Sequence, residues 1–247
     1  MLILGIGNKA RNGKDTAAEA IRDHYERENR LRREHGLLRG PGTQVGTFKF
    51  ATELYREVED FIWYYGDGSA EKALTRKYGL PIPMGDLIPA VNTWESGPLP
   101  AFETVKIPDW VTPGDPTPAP MAKYGKHPKL LQWWGTEYRR QYFGTNYWVD
   151  KLFASIPANL DIAIVSDTRF PNEADGVKQR GGYTINVQRL REDGTQYYSS
   201  DRPVDHPSET ALDDYNWDFY LKIPAGHAAL NGELAVTLAE YLRGLKR

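Results

Sequence analysis

Short apolar runs alternate along the chain with longer stretches of helical periodicity. The runs at residues 2–7, 161–167 and 183–189 are typical of strands that are covered on both faces of a sheet. Further strands are predicted at residues 43–51 and 217–223. Strands that are separated by helices usually pair in parallel through right-handed crossovers, so the pattern predicts an α/β fold.

Amphipathic periodicity predicts helices in the intervals between these strands. One helix opens at Asp15 and becomes highly charged by Arg33, and another starts at Pro171 and ends at Gly181. Proline suits a first helical turn, and glycine suits the position just beyond a helix end. The remaining helices are predicted at residues 53–65, 129–156 and 230–245.

Two segments depart from this alternation. Residues 66–128 are rich in proline and glycine, so we expect an irregular insert with little regular structure. Trp94 and Trp110 favour its packing on the body, and a long insert in a compact domain is usually functional. We predict that it binds an acceptor molecule. Residues 190–216 form a charged, turn-rich excursion that we interpret as a lid.

Composition narrows the classes of protein that fit. A length of 247 residues suits one α/β domain, here residues 1–247. The net charge of −2 argues against nonspecific binding of duplex DNA. The absence of cysteine excludes disulfides and thiolate zinc sites and fits a reducing cytoplasm. Because the N-terminal apolar run is too short for a signal or a membrane span, we expect a soluble, cytoplasmic protein without a membrane partner.

The turn between the first strand and the first helix, GIGNKARNGKDT at residues 5–16, carries the strongest chemical signal. A glycine-containing turn of this kind presents successive backbone amides to an anion, and the helix dipole adds positive potential. The context is that of a P-loop, in which Lys14 reaches the β- and γ-phosphates of ATP as a catalytic cation. The predicted cofactor-binding residues are Asn12, Gly13, Lys14, Asp15 and Thr16.

Two positions of this turn depart from the motif G-x-x-x-x-G-K-[ST]. Asn8 stands at the first glycine, and asparagine tolerates left-handed backbone better than most residues. Asp15 stands where serine or threonine is usual, and a carboxylate there is a candidate ligand for Mg²⁺.

A second acidic position follows the strand at residues 161–167. Ligands of parallel sheets collect at the carboxyl ends of strands, so Asp167 is a candidate to bind Mg²⁺ or to orient the acceptor. The alternative is that it caps the helix after Pro171. Arg169 points to the same cleft and suits a bidentate phosphate contact. We take Asp167 and Arg169, with Lys14, as the candidate catalytic residues.

Two further groups are candidates for contacts with the nucleotides. The Trp-rich helix combines stacking, base-reading and phosphate-pairing side chains, although core packing and surface ion pairs account for them equally well. Its candidate substrate-binding residues, which act together with Arg169, are Gln132, Trp133, Glu137, Arg139 and Arg140. The excursion contributes candidate lid cations over the γ-phosphate, with a solvated loop as the alternative: Arg189, Arg191 and Arg202.

Four stretches together resemble the phage-type deoxynucleoside monophosphate kinases, a branch of the P-loop nucleoside monophosphate kinase superfamily. They are GNKARNGKDT at residues 7–16, the segment 130–148, SDTRFPNEADGVKQRGG at residues 166–182, and DHPSET at residues 205–210.

The resemblance implies a three-layer P-loop fold with a parallel five-stranded sheet, ATP with Mg²⁺, and conversion of a deoxynucleoside monophosphate to the diphosphate. It also implies a phage origin and a location in the host cytoplasm. Lys14, Asp15 and Thr16 take the triphosphate role, and Asp167 and Arg169 act at the acceptor and the transferred phosphate.

Other functions fit the same residues. One keeps the kinase chemistry but takes a hydroxymethylated pyrimidine base within DNA as the acceptor, with the insert as a strand-binding groove. Another is a regulatory protein that binds nucleotide without transferring phosphate. A kinase of a small phosphorylated metabolite is the third.

Overall fold

The structure, a computed structural model, describes residues 1–65, 131, 133–140, 143–199 and 207–246. The chain divides into two compact units, one formed by Met1–Phe50 with Val149–Arg247 and the other by Ala51–Trp148. The predicted insert at residues 66–128, Gln132 and Arg202 lie outside the described residues, as do the side chains of Trp133 and Glu137.

The first unit is built on a sheet of five parallel strands in the order β2-β3-β1-β4-β5. This arrangement confirms the α/β class and the parallel five-stranded sheet. In the middle of the sheet, Gly7 at the end of β1 pairs with Thr168 of β3 and Asn186 of β4. The strands are β1 (Leu2–Gly7), β2 (Val45–Phe48), β3 (Ile162–Thr168), β4 (Tyr183–Arg189) and β5 (Phe219–Ile223).

Helices follow most of the strands. The helix predicted at residues 230–245 has these bounds in the structure, and the one predicted to start at Pro171 and end at Gly181 runs from Pro171 to Gln179. The described α-helices are α1 (Lys14–Glu34), α2 (Phe50–Tyr65), α3 (Tyr147–Ser155), α4 (Pro171–Gln179), the single turn α5 (Pro207–Thr210) and α6 (Leu230–Leu245). Across the described ranges, no helix is both long and apolar enough to cross a membrane.

Successive side chains of a strand point to opposite faces of the sheet, and both faces are covered here. Leu4 and Ile6 of β1 pack with Ile21 of α1 and Ala239 of α6 in the largest core cluster. Ile3, on the opposite face, packs with Ala163 and Val177, which belong to β3 and α4. The sheet is therefore sandwiched between α1 and α6 on one side and α4 on the other.

The strand predicted at residues 43–51 is wrong at its end. β2 stops at Phe48, and α2 begins at Phe50 rather than at residue 53. The backbone amide of Phe50 donates to Oδ1 of Asp167 at 2.7 Å, and this long-range contact fixes the helix start. The alternation of apolar residues through Ala51 is compatible with strand and helix alike, so local sequence did not mark the boundary.

The single helix predicted at residues 129–156 is also wrong. A π-helix occupies Trp133–Arg140, and α3 starts separately at Tyr147. Between them, Gly144 adopts a φ of 97° and its amide donates to the carbonyl of Arg140 at 2.9 Å. This left-handed glycine ends the helical path, since few other residues adopt that conformation at low cost.

The last strand begins two residues later in the structure than the sequence predicts. β5 starts at Phe219, not at Trp217, because the preceding residues make other contacts. The amide of Trp217 donates to the carbonyl of Tyr215, and the Asp218 carboxylate accepts from both the amide and the hydroxyl of Thr184.

Candidate functional site

The carboxyl ends of β1 and β3 define a crevice in the first unit. The two strands are neighbours, but β1 leads into α1 on one face of the sheet and β3 leads into α4 on the other. Ligands of open α/β sheets bind at such a switch point, outside the strand ends. The loop at residues 8–13 and the segment after Thr168 both lie there, and the Asn8 amide faces the Thr168 carbonyl at 3.4 Å.

The loop backbone contains left-handed residues of the kind that turn successive amides towards an anion-binding nest. Asn8, Arg11 and Gly13 adopt positive φ values of 112°, 56° and 94°. Asn8, at the position of the motif's first glycine, does adopt the left-handed conformation that the sequence analysis allowed it. Among the described residues, no side chain caps the N-terminus of α1. The amides of its first turn therefore point out of the helix towards the crevice.

Gly7 and Gly13, at the two ends of the loop, are closely packed against other parts of the chain. A Cβ on Gly7 would lie 2.4 Å from the Thr168 carbonyl oxygen and from the ring of Trp217, so no side chain fits there. The carbonyl of Gly13 accepts a hydrogen bond from Nδ2 of Asn231 in α6 at 2.8 Å. Distant parts of the chain thus fix both ends of the loop.

Lys14, the first residue of α1, is a buried cation whose side chain contacts this loop. Its side chain folds back so that Nζ donates to the Lys9 carbonyl at 2.8 Å, and the residue is only 5% exposed. Burial, and then the charge of Arg169, lower the pKa of Lys14 to about 8, against the opposing charges of Asp15, Glu209 and Asp167. An ammonium that has lost most of its hydration interacts strongly with an anion that approaches it.

Asp15 and Thr16, the next two residues, are exposed at the start of α1. The Asp15 carboxylate lies 2.6 Å from Nζ of Lys49 and accepts from the Ser166 hydroxyl at 3.3 Å. Burial alone would raise the pKa of Asp15, but Lys49, Lys14 and Ser166 together hold that pKa below its ordinary value. The carboxylate is therefore ionised and faces the crevice.

Sequence reasoning missed Lys49, which follows the carboxyl end of β2. The hydrogen bond with Asp15 raises the pKa of Lys49, and the charges of Asp15 and Asp167 raise it further. Lys49 thus lies near both predicted metal ligands. Its place directly after a strand was the available signal, but the strand was predicted to continue to residue 51.

Asp167 lies at the predicted place near the end of β3. Its Oδ1 accepts the amide of Phe50, so the helix whose start it caps is α2. The amides of Arg169 and Phe170, which precede α4, instead donate to Oε2 of Glu173 at 2.8 and 3.2 Å.

Arg169 is joined to the loop through Glu209, a residue of the DHPSET segment to which the sequence analysis assigned no role. Nη1 of Arg169 lies 2.9 Å from Oε1 of Glu209, and Oε2 of Glu209 accepts from the Ala10 amide at 2.7 Å. Lys9 contacts the same turn, since its Nζ donates to the Glu209 carbonyl and to the Asp213 carboxylate.

The side chain of Asn12 is buried and forms hydrogen bonds with other parts of the protein. Its amide group donates to the carbonyls of Ala10 and Tyr197 and accepts from the Arg189 amide at 2.8 Å. Arg189 stacks its guanidinium over the Tyr197 ring at 4.9 Å, and Arg191 is exposed. In the described part of the predicted lid, residues 190–199, the chain thus turns back and is fastened to the loop.

The second unit contains a buried polar network. Glu57 and Arg139 each have a side chain only 1% exposed, and Nε of Arg139 lies 2.7 Å from Oε2 of Glu57. The same carboxylate accepts from Trp134 Nε1 at 2.9 Å and from the Tyr147 hydroxyl at 2.7 Å. Arg139, a predicted acceptor-site residue, is therefore enclosed in the interior of its own unit, whereas Arg140 is partly exposed.

Within the described residues, no group of three or more histidine, aspartate or glutamate side chains is arranged to hold a metal ion. A metal that binds with one or two carboxylates and the phosphates of a substrate needs no such group. No protein-family model matches this chain, and a search of curated proteins found no significant similarity.

Proposed function

We propose that this protein is a P-loop kinase of three-layer architecture that transfers the terminal phosphoryl group of ATP to a deoxynucleoside monophosphate. The observation that carries the proposal is Lys14, a buried ammonium at an uncapped helix N-terminus that donates to a loop with three residues of positive φ. Burying a cation is costly unless an anion completes its environment. A phosphate chain supplies that anion and accepts the outward-pointing amides as well.

The residues of the loop fit a triphosphate. The amides at the start of α1 would donate hydrogen bonds to phosphate oxygens. Lys14 would neutralise the charge that develops between the β- and γ-phosphates. Thr16, exposed on the first turn, would contact the α-phosphate. Asn12 supports this cradle from behind, because its side chain holds the loop to β4 and to Tyr197.

The donor chemistry of the crevice also fits Mg²⁺. Asp15 and Asp167 would hold the ion. Both carboxylates raise the pKa values of Lys14 and Lys49, so both lie close to the loop. When bound, the ion offsets charge on the phosphate oxygens and orients them. Lys49, which pairs with Asp15, would turn to the phosphates when Asp15 holds the ion.

Arg169 is suited to the acceptor side of the reaction. Its guanidinium is held near Lys14 and retains donors for a second phosphate group. An oxygen of the acceptor phosphate would attack the γ-phosphorus in line, and the bond from that phosphorus to the ADP oxygen would break. The protein provides position and positive charge in this step, as phosphoryl transfer requires.

The acceptor class rests on the resemblance of the four sequence segments to phage deoxynucleoside monophosphate kinases. The decisive experiment supplies ATP and Mg²⁺ with dAMP, dGMP, dCMP, dTMP, modified pyrimidine monophosphates or hydroxymethyl-containing DNA, and follows ADP release. We expect turnover with one or two free monophosphates and none in Lys14→Ala. Turnover with DNA alone would assign the polymer as the acceptor, and ATP binding without turnover would indicate a regulatory protein or a metabolite kinase.

A further inference from the structure

Glu209 touches two separate parts of the site with its two carboxylate oxygens. Oε2 accepts the Ala10 amide of the loop at 2.7 Å, and Oε1 accepts Nη1 of Arg169 at 2.9 Å. The Glu209 side chain is 6% exposed, whereas that of Arg169 is 21% exposed. A carboxylate is rarely buried to this extent unless charge-assisted hydrogen bonds satisfy it, and these contacts do so.

The turn that carries Glu209 is itself fastened to the loop. Nζ of Lys9 donates to the backbone carbonyl of Glu209 at 2.5 Å and also contacts the carboxylate of Asp213. The position of Glu209 is therefore set by its backbone as well as by its side chain. Its carboxylate is a fixed point that holds the longer side chain of Arg169.

The ion pair between Glu209 and Arg169 also affects the charges around Lys14. The positive charge of Arg169 opposes that of Lys14, while Glu209 acts in the opposite sense. Two cations that must both approach a phosphate repel each other before it arrives. A carboxylate that binds Arg169 and also attracts Lys14 offsets part of that repulsion and holds the guanidinium beside the loop.

We propose that Glu209 is a positioning residue that holds Arg169 beside the phosphate-binding loop, ready to receive the phosphate of the acceptor. This inference rests on the proposed kinase function and extends it, because Glu209 acts through Arg169 and touches no reacting atom. The test compares the kinetics of the wild type, Arg169→Ala, Glu209→Gln and the double variant.

Glutamine keeps an oxygen for the Ala10 amide but loses the charge that binds the guanidinium. We expect Arg169→Ala to lower kcat about 100-fold or more, and Glu209→Gln about 10-fold or more with a smaller change in the KM for ATP. The double variant should be no slower than Arg169→Ala, since the two residues act as one unit. Glu34→Gln removes an exposed carboxylate at the opposite end of α1 from Lys14 and should keep the wild-type kcat.

Urea unfolding shows whether each variant folds. If Glu209→Gln does not, Glu209→Asp replaces it, because aspartate keeps the charge but is too short to reach both partners, and the same non-additivity is expected. Losses that add in the double variant would overturn the proposal. A faster or more tightly ATP-binding Glu209→Gln would overturn it too, since the carboxylate would then compete with phosphate.

Failure of the kinase function is distinguishable from failure of this inference. If the wild type binds ATP but transfers phosphate to no acceptor, the same four proteins are compared by ATP affinity. Non-additive losses of affinity would then support the link between Glu209 and Arg169, and additive losses would overturn it. A wild type that binds no ATP overturns both proposals.

Discussion

Asp167 and Phe50 are 117 residues apart in the chain, yet Oδ1 of Asp167 lies 2.7 Å from the backbone nitrogen of Phe50. A carboxylate from the end of β3 thereby satisfies an amide that the first turn of α2 leaves without a helical partner. The same side chain is a candidate ligand of Mg²⁺. Its structural and chemical roles are separable by substitution.

Replacement of Asp167 by asparagine or alanine should affect stability and catalysis differently. Asp167→Ala removes the acceptor of the Phe50 amide and should lower the free energy of unfolding by about 1 kcal/mol, the usual value of a capping contact. Asp167→Asn retains an oxygen there and should be nearly as stable as the wild type, but without its charge phosphoryl transfer should fall steeply. Urea unfolding and ADP release measure the two effects. Wild-type turnover by Asp167→Asn would exclude a role for the carboxylate in the reaction.

Lys14→Ala should lower kcat by about 100- to 1000-fold, the usual effect of removing one preorganised donor to a transition state. Lys222→Ala is the matched control, because Lys222 is an exposed lysine on β5. The measurement is ADP release with the preferred acceptor at saturating ATP. Equal kinetics of the two variants would mean that the buried ammonium has no part in transfer.

The stability of the free protein should depend on Lys14 above pH 8. The ordinary pKa of 10.5 applies in the unfolded chain, and a pKa of about 8 applies in the fold. Between these values the unfolded state binds more protons, so the free energy of unfolding rises with pH. Lys14 should therefore raise the free energy of unfolding by about 2 kcal/mol between pH 8 and pH 9.5.

Lys14→Met isolates this contribution, because it keeps the apolar stem and removes the titrating group. Urea unfolding of both proteins across that interval gives the difference in slope. The wild type should gain stability relative to the variant as the pH rises. A constant difference would show that the folded protein leaves the pKa of Lys14 at its ordinary value.

In the second unit, Glu57→Ala should destabilise the protein by about 3–5 kcal/mol, since it leaves the buried guanidinium of Arg139 without its carboxylate. Glu57→Gln should cost less, because an amide oxygen still accepts one of the three donors. Glu28→Ala is the control, since the side chains of Glu28 and its partner Arg32 are 38% and 48% exposed and surface pairs contribute about 1 kcal/mol or less. Thermal unfolding ranks the three variants, and equal losses for Glu57→Ala and Glu28→Ala would contradict the burial of the Glu57–Arg139 pair.

Gly7→Ala should damage the loop by steric overlap. The new Cβ would lie 2.4 Å from a carbonyl oxygen of β3, which cannot turn aside as a side chain would. We expect a loss of about 1–3 kcal/mol in the free energy of unfolding and weaker binding of ATP. Gly244→Ala, at a helical position with open space around it, should leave both unchanged or raise stability slightly. ATP affinity at wild-type level in Gly7→Ala would show that β1 and β3 separate easily.

The sheet was predictable because each strand is a short apolar run that burial on two faces requires. Residues 2–7 illustrate this, since their bounds in sequence and structure agree. The start of α2 was not predictable, since an aspartate 117 residues away sets it. The break at Gly144 was visible as a glycine, but the aromatic residues around it continue the helical pattern.

In the candidate site, too, features set by local pattern were predictable and features set by distant contacts were not. The places of Lys14 and Asp15 at the start of α1 and of Asp167 near the end of β3 were predictable, because they follow from local pattern. The contact of Glu209 with Ala10 was not found, because nothing near either residue in sequence indicates a pairing 199 positions apart. Arg139 was read as a nucleotide contact on residue type alone, and its enclosure with Glu57 depends on two helices that local periodicity does not bring together. Its role in acceptor binding stays a prediction.

The hydrogen bond from Asn231 to the Gly13 carbonyl has a consequence for the order in which the protein matures. Its partners are separated by 218 residues, so the loop is synthesised long before the residue that supports it. A nascent chain that stops before α6 carries the complete motif without this support. Nucleotide binding should therefore require that α6 has been synthesised and has packed against the loop.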